Sequence, residues 1–338
     1  MSRSTESAED LIVAQKIDLT EVPLIDFAPF RNGGEAGKQL VAAQIADACN
    51  QIGFFYLKGH GVPEQVSRNA FAESANFYHR PEAERERSAA SPSWYRGWIA
   101  KPRAKGLSRD SRLFEQYRIQ AEKPPNDGGP GSTVFYRPNR WPDDMPAFRT
   151  ACDAYYAAML ALSDDLLHAF AIGLGLPENR LDDYFHNPLC QLSLLYYTPL
   201  PDEADLSVSN TVAHTDEGPF TILAQDTVGG LEVKRRDGVW IAAPPIPGAF
   251  TINVGDMLMW WSNGRYLSNS HRVRNKSKGE RFSIPFFNNP DRDVIVAPLP
   301  ELVAQDGGVV RYPPVHVGTH LSRFYATLEK QALDAVTE

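Results

Sequence analysis

Cysteine is scarce in this chain: only Cys49, Cys152 and Cys190 occur, odd in number and far apart. That excludes a disulfide framework and a thiolate zinc site, and it fits a reducing cytoplasm. Long apolar runs are missing as well; none approaches the ~18 residues a membrane helix requires. Basic residues are outnumbered, 34 against 42 acidic ones, for a formal net charge of -8. Such a balance argues against a nucleic-acid partner, which needs a basic surface, and favours a small molecule. A Walker P-loop and the full G-x-G-x-x-G fingerprint are lacking, so nucleotide-dependent classes have no support. The opening residues, MSRSTESAEDLIVAQK, carry neither the basic start nor the apolar core of a signal peptide, and residues 1–20 are expected to form a flexible lead.

What remains is an ordinary globular composition, 43% hydrophobic and 11% aromatic over 338 residues, enough for a full core. Residues 21–190 read as an α/β portion: VPLIDF (Val22 to Phe27) and FFYLKGHGV as strands, Gly37 to Asn50 and the stretch after Pro63 as helices. The PEAERER charges that follow read as a solvated face. From Ser91 to about Arg140 a loop-rich insert with two short strands carries aromatics and positive charge, and PPNDGGPGS (Pro124 to Ser132) reads as an exposed loop. Met145 to about Leu176 has the apolar spacing of a long scaffold helix.

Beyond Gln191 the texture becomes β. LSLLYY, FTILAQD, GLEVKR, VWIAAPP, FTINVGDMLMWWS, SHRVRN and RFSIPFF are short runs separated by Gly, Asp, Asn and Pro, the pattern of a sandwich or jelly roll. This places a β core at 191–300, followed by an extension and a closing helix, HLSRFYATLEKQAL, within 301–338.

His214-Thr-Asp216 lies in this β region, where residues i and i+2 project to one face, so both side chains can meet one cation. Alone, His-x-Asp is a weak signal and a surface polar pair reads as well. His271, in a later strand of the same β region, supplies a third ligand. Two imidazoles and a carboxylate leave three positions of an octahedral iron(II) open, enough for an organic chelator and dioxygen. Arg281 and Ser283 repeat the i, i+2 relation, and an Arg fork with a hydroxyl suits the far end of a dicarboxylate, the plainer alternative being a surface ion pair. His60 is read as structural, and His316 and His320 as surface histidines without an acidic partner.

The ordered series HTD, FTILAQDTVGGLEV, FTINVGDMLMWWSNGRYLSNSHRV and RFSIPFF, with VPLIDF and IGFFYLKGHGV upstream, resembles the isopenicillin N synthase-like branch of the 2-oxoglutarate and iron(II)-dependent oxygenases over nearly the whole chain. The resemblance implies a mainly β fold with flanking helices. Its core would be a distorted double-stranded β-helix (jelly roll), with an N-terminal α/β portion and the long helix packed outside. It also implies that Fe(II) binds at His214, Asp216 and His271. Arg281 and Ser283 would hold the distal carboxylate of 2-oxoglutarate, assisted by Tyr197. The implied chemistry consumes O2, yields succinate and CO2, and hydroxylates, desaturates or cyclises a small organic substrate. Many relatives carry Arg where Ser193 stands and Asn where Leu195 stands, so polar help near the cosubstrate is reduced here or supplied elsewhere. Phe287, Phe220, Phe114, Tyr117 and Arg118 are the candidate substrate residues by position in the resemblance, with ordinary core packing as the alternative for each aromatic. The insert's charge is read as a solvated loop, with Arg96, Arg103 or Arg118 meeting an acidic substrate as the alternative. Two rivals remain: an iron(II) oxidase of the same fold that does not use 2-oxoglutarate, and a non-catalytic metal-binding jelly roll.

Overall fold

A computed structural model describes residues 21–91, 94–100, 114–122, 135–199, 210–275, 277 and 279–324. The expected lead, the Pro124 to Ser132 loop and the end of the closing helix lie outside these residues; within them, residues 317–324 are helical.

Two sheets face each other. The larger has eight strands in the order β1-β2-β10-β7-β12-β5-β4-β3 and the smaller four, β6-β11-β8-β9. In the large sheet β1 (Leu24–Asp26), β2 (Phe54–Lys58), β3 (Gly97–Ile99) and β4 (Glu115–Gln120) come from the N-terminal portion. They flank β5 (Gln191–Tyr197), β7 (Phe220–Gln225), β10 (Phe250–Val254) and β12 (Arg281–Asn288). The small sheet holds β6 (Thr211–His214), β8 (Leu231–Lys234), β9 (Trp240–Ala242) and β11 (His271–Val273). All its pairings, and all in the large sheet except β1 with β2, are antiparallel. A separate two-stranded pair, β13 (Ile295–Val296) and β14 (Val315–His316), lies near the end of the described chain.

Helices cover the outer face of the large sheet. After α1 (Ala28–Asn32) and α2 (Gly34–Gln51) come α3 (Glu64–Tyr78) and the single turn α4 (Glu82–Arg85). The scaffold helix α5 (Pro146–Gly173) opens with Pro at its first position, where the missing N–H costs nothing. It buries Phe148, Tyr155, Met159, Leu162, Leu166 and Phe170. The core is therefore double. The larger cluster fills the space between helices and sheet, joining Phe170 and Leu166 to Leu192, Leu194, Phe220 and Phe286. The smaller one lies between the sheets, joining Phe54, Tyr56 and Tyr197 to Leu231, Val233, Ile241 and Val273. Along the strands of the large sheet, alternation sends side chains to one layer or the other.

Three readings of the sequence are corrected. DMLMWW, taken as the continuation of a strand, is the short helix α6 (Asp256–Trp261), preceding α7 (Pro300–Gln305). An apolar run of this length suits a buried helical turn as well as a strand, and the chain stays extended through Gly255 before it turns helical at Asp256. Within the PEAERER segment, Arg85 turns inward to pair with Glu115 at about a tenth exposure. The insert's Arg96 and Arg118 are not on a solvated loop: they are 1% and 3% exposed, and Arg96 donates to the carbonyls of Gln120, Ala121 and Phe135. Arg103 lies outside the described residues.

Candidate active site

His214 and His271 end up face to face because β6 and β11 pair antiparallel with these two residues as direct partners; their ring centroids are 4.3 Å apart. Each imidazole is oriented from behind. Nδ1 of His214 donates to the Val212 carbonyl at 2.8 Å and Nδ1 of His271 to that of Asn269 at 3.3 Å, which leaves the Nε2 lone pairs pointing forward. Both Nε2 atoms lie 3.7 Å from Oδ1 of Asp216. Among the described residues this is the one group of three side chains arranged to hold a metal ion.

Asp216 is fixed from the opposite sheet. Its Oδ2 accepts from Thr221 Oγ1 at 2.5 Å and Asn253 Nδ2 at 2.8 Å, and Thr221 and Asn253 are register partners on β7 and β10. With Oδ2 occupied, Oδ1 is the oxygen presented to a cation. Burial pushes the Asp216 carboxyl up, but the His271 and His214 rings and the two hydrogen bonds outweigh it and hold it below the ordinary carboxylate range. A hard anionic oxygen with two neutral nitrogens, all on one side, fits an octahedral divalent iron with open positions. A closed structural zinc site would need a fourth ligand.

The loop after Asp216 is clamped to the start of α6: Asp256 N–H donates to the Asp216 carbonyl and Gly255 N–H to that of Pro219, each at 2.8 Å. Gly255 is required there for space. A Cβ at this position would stand 2.1 Å from the Gly218 oxygen and 2.8 Å from the Asp216 oxygen. Gly255→Ala is therefore expected to displace the aspartate, lowering metal affinity about tenfold and stability by ~1–3 kcal/mol through overpacking. Metal titration and thermal melts of the purified variant check both; an unchanged metal affinity would contradict the clamp.

Arg281, Ser283 and Phe287 lie on the inner face of β12. Arg281 is fully buried; Nε donates to the Gly229 carbonyl at 2.5 Å, Nη1 to Ser283 Oγ at 3.1 Å and Nη2 to Gln225 Oε1 at 3.2 Å. Its guanidinium carbon sits 4.6 Å from the ring centroid of Tyr197, its partner on β5. No carboxylate among the described residues pairs with it, and at full burial it is not a surface group. A buried cation whose described partners are neutral oxygens and a π face can receive an anion, and the fork with the Ser283 hydroxyl suits a carboxylate. The Tyr197 hydroxyl lies 3.5 Å from Thr211 Oγ1, so this ring bridges the sheets.

Of the candidate substrate residues, Phe287, Phe114 and Arg118 share this inner face. Phe287 is half-buried opposite Thr221, Phe114 packs 5.3 Å from the Tyr197 ring, and Arg118 faces inward on β4. Phe220 and Tyr117 do not reach it. Phe220 precedes the inward Thr221 and meets Phe170 of α5 at 5.2 Å, while Tyr117 stands between the inward Gln116 and Arg118 and packs against Phe77 and Phe148. Both are core aromatics. Sequence reasoning missed Thr221, Asn253 and Gln225, polar residues within apolar strand runs. It also missed the acidic partner of His320, which is Glu217, the residue after the aspartate ligand; His320 is only 20% exposed.

Comparison with known proteins agrees with this geometry. Residues 188–290 match the family model of the 2OG-Fe(II) oxygenase superfamily, and residues 22–144 that of the non-haem dioxygenase in morphine synthesis N-terminal region. The 2-oxoglutarate-Fe(II) type oxidoreductase ppzC of Metarhizium rileyi is 36% identical over 293 residues, 79% of this chain and 77% of that protein. The oxidoreductase hxnY of Emericella nidulans, of the same type, is 31% identical over 309 residues, 88% of this chain and 87% of that one. Among solved structures, a full-length Neurospora crassa protein in complex with alpha-KG superposes with a TM-score of 0.82 at 28% identity, covering 91% of this chain and 96% of that one. The same protein with alpha-KG and thymine gives a TM-score of 0.81 over 91% and 97%. Sequence, fold and donor set thus converge: the chain belongs to the 2-oxoglutarate- and Fe(II)-dependent oxygenases, with the jelly-roll fold of that superfamily.

Proposed function

We propose that His214, Asp216 and His271 hold Fe(II), that Arg281 and Ser283 grip the distal carboxylate of 2-oxoglutarate with Tyr197 alongside, and that a small organic molecule is oxidised at this centre. The observation that carries the reading is Arg281, a fully buried guanidinium whose described partners are neutral oxygens and an aromatic face. A diacid supplies the missing charge. One carboxylate would be held by the fork, leaving the 2-oxo acid end directed at the metal ligands.

When bound, Fe(II) and 2-oxoglutarate supply the oxidative chemistry, in which O2 is consumed and succinate and CO2 are released. The chain's own residues orient and exclude water. The Nδ1 bonds of the two histidines and the double anchor of Asp216 hold the donors ready, so little reorganisation accompanies metal binding. Tyr197 covers the guanidinium from one side, and Phe114 packs against Tyr197. The half-buried Phe287 stands between this grip and Thr221, where a substrate would lie. The N-terminal portion, residues 21–190, would serve the site by completing the sheet and its helical backing. No helix of the described residues is long and apolar enough to cross a membrane, and the free, buried Cys49, Cys152 and Cys190 suit a reducing cytoplasm, where we place the protein.

The test is direct. Anaerobic addition of Fe(II) and 2-oxoglutarate should produce a weak visible charge-transfer band, and admission of air with substrate should release succinate. An oxidase that ignores 2-oxoglutarate would consume O2 without succinate, and a non-catalytic binding protein would do neither. Either outcome rejects the proposal.

A further inference from the structure

Resting on that reading and deepening it, we propose that Arg118 and Ser193 form a donor pair that binds a carbonyl-type oxygen of the prime substrate, a carboxylate or a carboxamide. The enzyme would then select for an oxygen-bearing head group held away from the metal, while the rest of the molecule reaches back to it.

Register places the pair. Arg118 and Ser193 are direct partners on β4 and β5, and so are Gln116 with Leu195 and Gln120 with Gln191. Leu195 is the partner of Ser283 on β12, and Gln191 that of Phe287. Phe287 is opposite Thr221, and Thr221 opposite Asn253, the two residues that anchor Asp216. One continuous row, Gln120, Gln191, Phe287, Thr221 and Asn253, therefore runs from the polar patch to the metal ligand on a single face. Gln191 is two strand spacings from Thr221, ~10 Å. A molecule of ordinary metabolite size spans that gap.

The patch is polar where the opposite faces of the same strands are apolar. Outward positions of the same strands, Tyr117, Ile119, Leu192 and Leu194, are apolar and fully packed, whereas the inward Gln116, Arg118, Gln120, Gln191 and Ser193 are all buried and polar. Burying polar groups costs free energy unless each finds a partner. Here the amides order one another: Gln116 Nε2 donates to Ser193 Oγ at 2.7 Å, Gln191 Nε2 to the same oxygen at 3.1 Å, and Gln120 Nε2 to Gln191 Oε1 at 3.2 Å. The Ser193 hydroxyl accepts twice. Its own proton has no acceptor among the described residues, although the residue is 0% exposed. A donor of that kind beside a guanidinium calls for an acceptor oxygen. Arg118 is itself fixed, stacked 4.4 Å over the Tyr95 ring with Nη2 3.5 Å from Gln116 Oε1. A patch built to bind hydrocarbon would carry none of these groups.

Matched probes test this on the full chain loaded anaerobically with Fe(II) and 2-oxoglutarate: benzoate, phenylacetate and 3-phenylpropionate, their primary amides, and toluene, ethylbenzene and propylbenzene. Binding is read as perturbation of the visible band. Acids or amides should bind at least tenfold more tightly than the hydrocarbons; a preference for acids assigns a carboxylate, a preference for amides a carboxamide, and equal binding the carbonyl-type oxygen common to both. Arg118→Met should weaken the preferred probes at least tenfold and Ser193→Ala about threefold, with Arg118→Lys restoring part of the affinity for acids. The proposal is overturned if hydrocarbons bind as well as acids and amides, if no acid or amide binds, or if Arg118→Met lowers the thermal midpoint while probe affinity stays within twofold. Failure of the wild-type chain to form the band at all would count against the cofactor reading instead.

Discussion

Asp216→Ala should lose Fe(II) binding by three orders of magnitude or more, and turnover with it. The substitution removes the only anionic ligand of the triad and leaves Thr221 Oγ1 and Asn253 Nδ2, which now bond Oδ2, facing a gap. Metal affinity also depends on how the carboxylate is aimed. Thr221→Val, which keeps the volume but deletes the hydroxyl, should lower affinity about tenfold to a hundredfold, as loss of an outer partner does at other metal centres. Thr221→Ser should restore most of it. Anaerobic titration of the apoprotein with Co(II), whose visible spectrum reports coordination, checks all three variants without relying on activity. Retention of micromolar Co(II) binding by Asp216→Ala would remove the metal assignment.

Arg281→Met should raise the 2-oxoglutarate concentration needed for half-maximal succinate formation by about a hundredfold or more. Charge-assisted hydrogen bonds are worth ~1.5–3 kcal/mol each, and a fork makes two, so the loss of ~3–6 kcal/mol converts to at least two decades in affinity. Co(II) affinity in the absence of 2-oxoglutarate should stay unchanged, since Arg281 touches none of the three ligands. Lysine would not substitute fully, because a single ammonium cannot match the planar fork or stack on Tyr197. A variant that saturates with 2-oxoglutarate like the wild type would show that the guanidinium serves the fold alone.

The sequence made the chemistry more legible than the faces. His214, Asp216 and His271 were readable because their residue types are uncommon inside β runs and their spacing is local or motif-like. Arg281 and Ser283 stood out by the same i, i+2 spacing, and they share the inner face of β12. The strand runs were also plain, since short apolar stretches between turn residues have few alternatives. Orientation was harder. Phe220 and Tyr117 fall one position from inward-facing residues, and a single-residue shift of parity sends a side chain to the other core. The contacts of Thr221 with Asp216, Gln225 with Arg281 and Phe220 with Phe170 settle that parity for β7. Long-range partners left no local trace either: Asn253 meets Asp216 across 37 positions and His320 meets Glu217 across 103. The helix at Asp256–Trp261 was hidden because a run of large apolar residues has neither a clear period of two nor room for one of 3.6.

The histidines stand on the small sheet, whereas the aspartate is tied to two strands of the large one. An ion at this point works as a rivet through both layers of the sandwich, and its departure should be felt first as a parting of the two layers at that end. Amide exchange would register this as faster opening along β6 and β11 in the metal-free protein, with the helix-backed side undisturbed. Catalytic readiness and the cohesion of the barrel mouth would then rise and fall together with iron supply.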